Sequence, residues 1–145
     1  MKKLFSFVLL ALMVSSSACA GNEQVISFEQ LPEKAQSFVK TYFAGEEIAF
    51  VMHEKEGLSE EYEVKFSSGA TVEFNKTGEL KKVDCRRLAV PDGIVPEIVV
   101  SYVKTKFPKE YITEWGKDDR RWKVELNNGL DLLFDKNYQF VGIDD

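Results

Sequence analysis

Two rhythms of apolar and polar residues alternate along this chain. Apolar side chains recur at three- and four-residue spacing through Ala35, Phe38, Val39, Tyr42 and Phe43, and again through Val99, Tyr102, Val103 and Phe107. That period predicts two amphipathic helices. Pro32 and Pro96 stand where a first helical turn tolerates a missing N–H, with Glu33 and Glu97 next to them at the positive end of the helix dipole. Gly45 and Pro108 mark the ends. After each helix the period shortens to two, which reads as strands. The first set covers 48–53, 61–66, 70–75 and 79–85, and the second covers 111–116, 121–126, 130–135 and 139–143. Ser67-Ser68-Gly69 and Asn127-Asn128-Gly129 have the composition of tight hairpin turns with positive φ. Lys76-Thr77-Gly78 and Lys136-Asn137-Tyr138 turn the next hairpins.

The two sets are related in sequence. Leu31-Pro-Glu-Lys-Ala-Gln-Ser-Phe-Val-Lys-Thr-Tyr-Phe43 aligns with Val95-Pro-Glu-Ile-Val-Val-Ser-Tyr-Val-Lys-Thr-Lys-Phe107 at an offset of 64. Beyond a loop four residues shorter in the second copy, the match resumes at an offset of 60. Tyr62–Phe66 then falls on Trp122–Leu126, Gly69 on Gly129, Phe74 on Phe134 and Val83-Asp84 on Ile143-Asp144. The expectation is an α+β fold of two tandem α-β4 repeats, 28–87 and 92–145, forming a curved antiparallel sheet with the helices on one face. Strand alternation puts Tyr62, Val64 and Phe66 under the helix and Glu61, Glu63 and Lys65 on the open side. Val72 and Phe74 likewise oppose Thr71, Glu73 and Asn75, while Trp122, Val124 and Leu126 oppose Arg121, Lys123 and Glu125. A unit of about 50 residues is marginal alone, so the two sheets are expected to join or pack.

The first twenty residues stand apart. Met1-Lys2-Lys3 is a basic start, Leu4–Val14 an apolar run, and Ala18-Cys19-Ala20 a small-residue cleavage site, the pattern of a secretory signal over 1–20. The run falls short of the roughly 20 apolar residues a membrane span needs. The competing reading is a lipoprotein anchored at Cys19, although Ser16 occupies the place three residues before that cysteine where an aliphatic residue is usual. Export points to the periplasm. Cleavage after Ala20 removes Lys2 and Lys3 and no acid, taking the net charge from −5 to −7. That balance argues against nucleic acid or an anionic membrane as partner and is compatible with a basic protein patch or a cation. Cys85 is then the one remaining cysteine, so no intramolecular disulfide is available and a buried, apolar role is expected for it.

Catalysis fails on inventory. The single histidine, His53, has no nucleophile at a suggestive spacing, and no phosphate loop, dinucleotide fingerprint or zinc cluster is present. No cofactor is therefore expected, with calcium as the alternative. Asn75, Thr77 and Glu79, with Asp135, Asn137 and Gln139, place side-chain oxygens at alternate positions of equivalent turns, a pattern calcium loops share but which β-turn chemistry explains better. Trp115 is the more open question. If Ile112 points to the helices, strict alternation puts Trp115 on the open face as an interface anchor beside Arg121 and Lys123; a bulge or the sheet junction would bury it instead.

The paired Leu31-Pro32-Glu33 and Val95-Pro96-Glu97 openings, with the strands carrying Tyr62–Phe66, Gly69 and Phe74 and their counterparts Trp122–Leu126, Gly129 and Phe134, resemble the PepSY-like proteins described as β-lactamase-inhibitor-like. The resemblance covers essentially the whole chain after the signal. It implies tandem α-β4 units and a protein-binding role, because related inhibitors use the concave sheet face to occupy an enzyme's cleft, and PepSY domains also occur in protease propeptides. No binding motif of those inhibitors has a counterpart here. The expected function is thus a periplasmic binding module, not an enzyme, engaging a protein or peptide (a hydrolase or peptidase among the candidates) through the open face. Trp115, Arg121, Lys123, Glu63, Lys65 and Glu73 are the expected contacts. The alternative is a calcium-responsive periplasmic protein.

Overall fold

A computed structural model describes residues 22–144. The predicted signal at 1–20, including Cys19, lies outside them, as does Asp145. The chain forms β1 (Asn22–Ile26), a 3-10 turn (Phe28–Gln30), α1 (Glu33–Tyr42), β2 (Ile48–Glu56), β3 (Ser59–Phe66), β4 (Thr71–Asn75) and β5 (Leu80–Asp84). Then follow α2 (Glu97–Lys106), β6 (Ile112–Asp118), β7 (Arg121–Leu126), β8 (Asp131–Phe134) and β9 (Phe140–Asp144). All nine strands belong to one sheet, antiparallel throughout and ordered as in the sequence. The fold is α+β: a mostly antiparallel open sheet with two helices. No helix among the described residues is long and apolar enough to cross a membrane.

Pro32 and Pro96 sit one residue ahead of the helices, as their caps, so that neither costs an intrahelical bond. Each helix closes on an aromatic residue: Phe43 N–H donates to Val39 O and Phe107 N–H to Val103 O. Gly69 and Gly129 adopt the positive φ expected of them, and at the other pair of turns Gly78 and Tyr138 both lie in the left-handed region.

The core lies between the helices and one face of the sheet. Phe38 packs edge-on against Phe74, Phe43 stacks on Phe66, and Tyr102 meets Phe134 edge-on. Register carries this apolar face across the sheet, since Val64 is opposite Val72, Val72 opposite Val83, Val83 opposite Trp115, Trp115 opposite Val124 and Val124 opposite Leu132. The β5–β6 pairing therefore runs the core without interruption from α1 to α2.

Two expectations need correction, and one strand is additional to those expected. Trp115 belongs to this core: it is 2% exposed and lies parallel to Trp122 with ring centroids 4.7 Å apart. The cause is a register shift between Ile112 and Glu114. The extra residue puts Ile112 and Trp115 on the same face although their spacing is odd. β1, a segment for which the pattern gives no element, adds an edge strand to β2 with Val25 opposite Met52. Finally, β2 and β3 extend past their apolar positions to a hairpin in which Glu56 faces Ser59, because Gly57 supplies a positive φ in a stretch too polar to show alternation.

Candidate functional site

The face opposite the helices carries charge in rows that run across the strands. One row passes from Glu63 through Glu73, Lys82 and Gly116 to Lys123. The next is more unusual. Asp84, Glu114, Glu125, Asp131 and Asp144 are successive cross-strand neighbours on β5 to β9. At about 4.8 Å between strands, five carboxylates line up over roughly 19 Å. Like charges directly opposite one another destabilise a sheet, so the row depends on the lysines beside it.

Lys82 Nζ reaches Glu114 Oε1 at 3.2 Å, and Lys123 Nζ lies 3.8 Å from the same oxygen and 3.3 Å from Asp131 Oδ2. Glu114 is only 8% exposed although no helix among the described residues covers it; it lies against Lys82 and Lys123. Gly116 makes this possible, because a Cβ there would sit 2.9 Å from Lys82 Cγ. The lysine lies across the bare backbone to reach Glu114. Desolvation works against the charge on Lys123, but Asp131 and Glu114 outweigh it and hold its pKa above the usual value. Burial, reinforced by Glu114 and Asp131, raises the pKa of Glu125.

Toward β1 the face is richer in carboxylates. Glu23, Glu54, Glu61, Glu63 and Glu73 surround a depression of about 210 Å³ floored by Met52. Burial raises the pKa of Glu73, with Glu63 and Glu61 adding to the effect against the pull of Lys82. Lys81 pairs with Glu61 at the rim.

Five of the six expected contact residues stand on this face. Glu63 faces Glu73 across the strands and Lys65 faces Thr71, on either side of the Val64–Val72 pair; Lys123 holds the middle, and Arg121 is exposed at the β6–β7 hairpin. Trp115 does not. Sequence reasoning missed Lys82, Asp84, Glu114 and Asp131. A signal existed: Ile48 and Val51 are spaced as Ile112 and Trp115 are, so both halves break the two-residue period at the same place.

The oxygens proposed for calcium serve their own turns. Asn75 Oδ1 accepts from Thr77 N, Thr77 Oγ1 and Glu79 N, and Asp135 Oδ1 accepts from Asn137 N and Gln139 N. Glu79 pairs with Lys34, which lowers its pKa through the hydrogen bond. Among the described residues no three His, Cys, Asp or Glu side chains converge so as to hold a metal ion. His53 stacks on Tyr62, and its Nε2 lies 2.7 Å from Glu60 Oε1, a contact that lowers the Glu60 pKa. Cys85 is buried, and desolvation, aided by Asp84 and Glu46, pushes its thiol up to about 11, far from a reactive thiolate.

Residues 60–142 match the family described as "Putative beta-lactamase-inhibitor-like, PepSY-like". No curated protein matches the chain. Among solved structures, a "putative periplasmic protein from DUF2874 family" of Bacteroides vulgatus is 32% identical, with TM-score 0.82 over 86% of this chain and 98% of that one. A "putative calcium-regulated periplasmic protein" of Bacteroides thetaiotaomicron is 33% identical, with TM-score 0.81 over 85% and 97%. A second Bacteroides vulgatus protein, described as "a putative periplasmic protein of unknown function", is 25% identical, with TM-score 0.80 over 86% and 100%.

Proposed function

Since the chain belongs to the PepSY-like, β-lactamase-inhibitor-like family, we propose that it is a periplasmic binding module, not an enzyme. It is built from two tandem α-β4 copies that curve the sheet, and it engages a protein or peptide through the helix-free face. The location rests on the periplasmic descriptions of its structural relatives and on the signal read at 1–20. One observation carries the reading: a sheet face with no covering layer among the described residues still holds Glu114 desolvated within a braced set of lysines and carboxylates. Such preorganised charge favours selection of a partner over self-stabilisation, because buried ion pairs add little to folding.

The test is affinity capture from the native envelope with mass-spectrometric identification, using the wild type beside Glu63→Lys and Lys123→Glu. A protein retained by the wild type and lost from both variants supports the reading; equal retention by all three rejects it. If that protein is a hydrolase or peptidase, its inhibition is then measured directly. A calcium-responsive reading is favoured by the description of one relative and would use the turns at Asn75, Thr77, Glu79 and Asp135, Asn137, Gln139. Calorimetric titration of chelator-stripped protein with calcium tests it, and silence at millimolar calcium removes it.

A further inference from the structure

The two halves of the sheet end in strands with the same inner register and different outer edges. Thr71, Val72 and Glu73 face Asp84, Val83 and Lys82, as Asp131, Leu132 and Leu133 face Asp144, Ile143 and Gly142. β5 then receives β6 on its other side, and Val83, opposite Trp115, is 0% exposed. β9 is last in the sheet, and among the described residues no strand follows it. Ile143, which takes the position of Val83, is 50% exposed, and so is Val141. Natural sheet edges are commonly guarded by lysine, proline or inward charge. Phe140–Asp144 carries no lysine and no proline. The opposite edge, β1, opens with three polar residues, Asn22, Glu23 and Gln24.

The chemistry around β9 selects its occupant. Asp144 ends the carboxylate row at the free edge, and beside it Asp131 Oδ1 is buried without a hydrogen-bond donor. A second copy is a poor fit, because β9 carries no cation that could pair with the Asp144 of another copy of an acidic protein. The internal β5–β6 pair shows what does fit. There Trp115 covers Val83, and Lys82 crosses Gly116 to reach Glu114 two residues along the same strand. At the free edge Gly142 is equally bare, with nothing within 4 Å of where a Cβ would stand, and Asp144 lies two residues along.

We propose that the outer edge of β9 accepts, by antiparallel strand addition, an extended basic segment of a partner protein. A large apolar residue of that segment lies opposite Ile143, and a lysine or arginine lies opposite Gly142 and bonds Asp144. Main-chain pairing supplies the docking, and alternate side chains supply the selectivity. The proposal does not depend on the open-face reading, since it requires only the edge and the side chains next to it.

The experiment titrates isotope-labelled protein with a blocked synthetic heptapeptide alternating lysine with valine and tryptophan, following backbone amide shifts and hydrogen exchange. The expected result is new protection confined to Phe140–Asp144. Affinity should fall by about tenfold or more when alternate peptide amides are N-methylated, when glutamate replaces lysine, or in the Val141→Lys/Ile143→Lys protein. Both substituted positions are half exposed, and circular dichroism confirms that the variant folds. Affinity indifferent to N-methylation, equal binding of the acidic peptide, or no perturbation at millimolar peptide would overturn the proposal. So would shifts limited to the Glu63 and Glu73 region, which would belong to the open face instead, or dimerisation of the protein alone through β9.

Discussion

The half made of α1 and β2–β5 and the half made of α2 and β6–β9 pair at matching registers, down to the bulge in the first strand of each, yet fill those registers differently. Val51 faces Val64 where Trp115 faces Val124. His53 stacks on Tyr62 where Lys117 lies over the Trp122 ring, 5.5 Å from its centroid. At the last turn Gly78 tucks under the start of α1, whereas Tyr138 takes the same left-handed backbone and packs 6.0 Å from both tryptophans. The same backbone thus supports a small, tight contact in one half and a large aromatic cluster in the other. Backbone register is set by the apolar pattern, while side-chain volume is negotiated locally between strand and turn.

The largest break in this comparison is Trp115→Ala. It empties the aromatic cluster and should cost about 3–5 kcal/mol in urea denaturation. A loss below about 1 kcal/mol would return Trp115 to the surface. Next comes Gly78→Ala, whose new Cβ would lie 2.9 Å from Pro32 Cβ and 3.0 Å from the Ala35 nitrogen. Overpacking there should cost about 2–3 kcal/mol, whereas Gly129→Ala, with similar φ but open space around it, should cost only the left-handed penalty of about 1–2 kcal/mol. Melting curves of the two variants decide whether α1 or the turn itself demands the glycine. Lys117→Ala removes the cation from the Trp122 ring and should cost about 0.5–1 kcal/mol, read as a small fall in melting temperature.

Glu73→Gln is expected to have the smallest effect, below about 1 kcal/mol, and its sign depends on pH. The folded protein holds the Glu73 proton more tightly than the unfolded chain does, because burial disfavours the carboxylate. Stability due to this group therefore falls as pH rises from the ordinary carboxylate range through the raised pKa, and the deficit persists at neutral pH. The glutamine variant should melt higher than wild type at pH 7 and lose that advantage below about pH 4. A variant that is less stable at pH 7 would show that Glu73 is better solvated than its surroundings imply.

Much of this molecule was legible in the order of its residues. The 3.6-residue period and the prolines marked both helices, and alternation placed Tyr62, Val64 and Phe66 against Glu61, Glu63 and Lys65 as the sheet has them. Those features are local, since period and turn chemistry act within a few residues. The carboxylate row was not legible. Its five members come from five strands, and nothing in their sequence spacing brings Asp84 beside Glu114 until β5 pairs with β6. Trp115 shows the same limit on a smaller scale: one extra residue at Thr113 reverses the face of every residue after it, and a bulge is settled by pairing with β7, not by composition.

The sequence by itself determined the element types, their order and which side of most strands is apolar, because those follow from short-range periodicity. Only the tertiary structure decided the continuous nine-strand pairing, the burial of Glu114 and the place of β9 at the end of the sheet among the described residues. Each of these depends on which strand lies beside which, a relation between residues far apart in the chain that hydrophobic pattern alone does not encode.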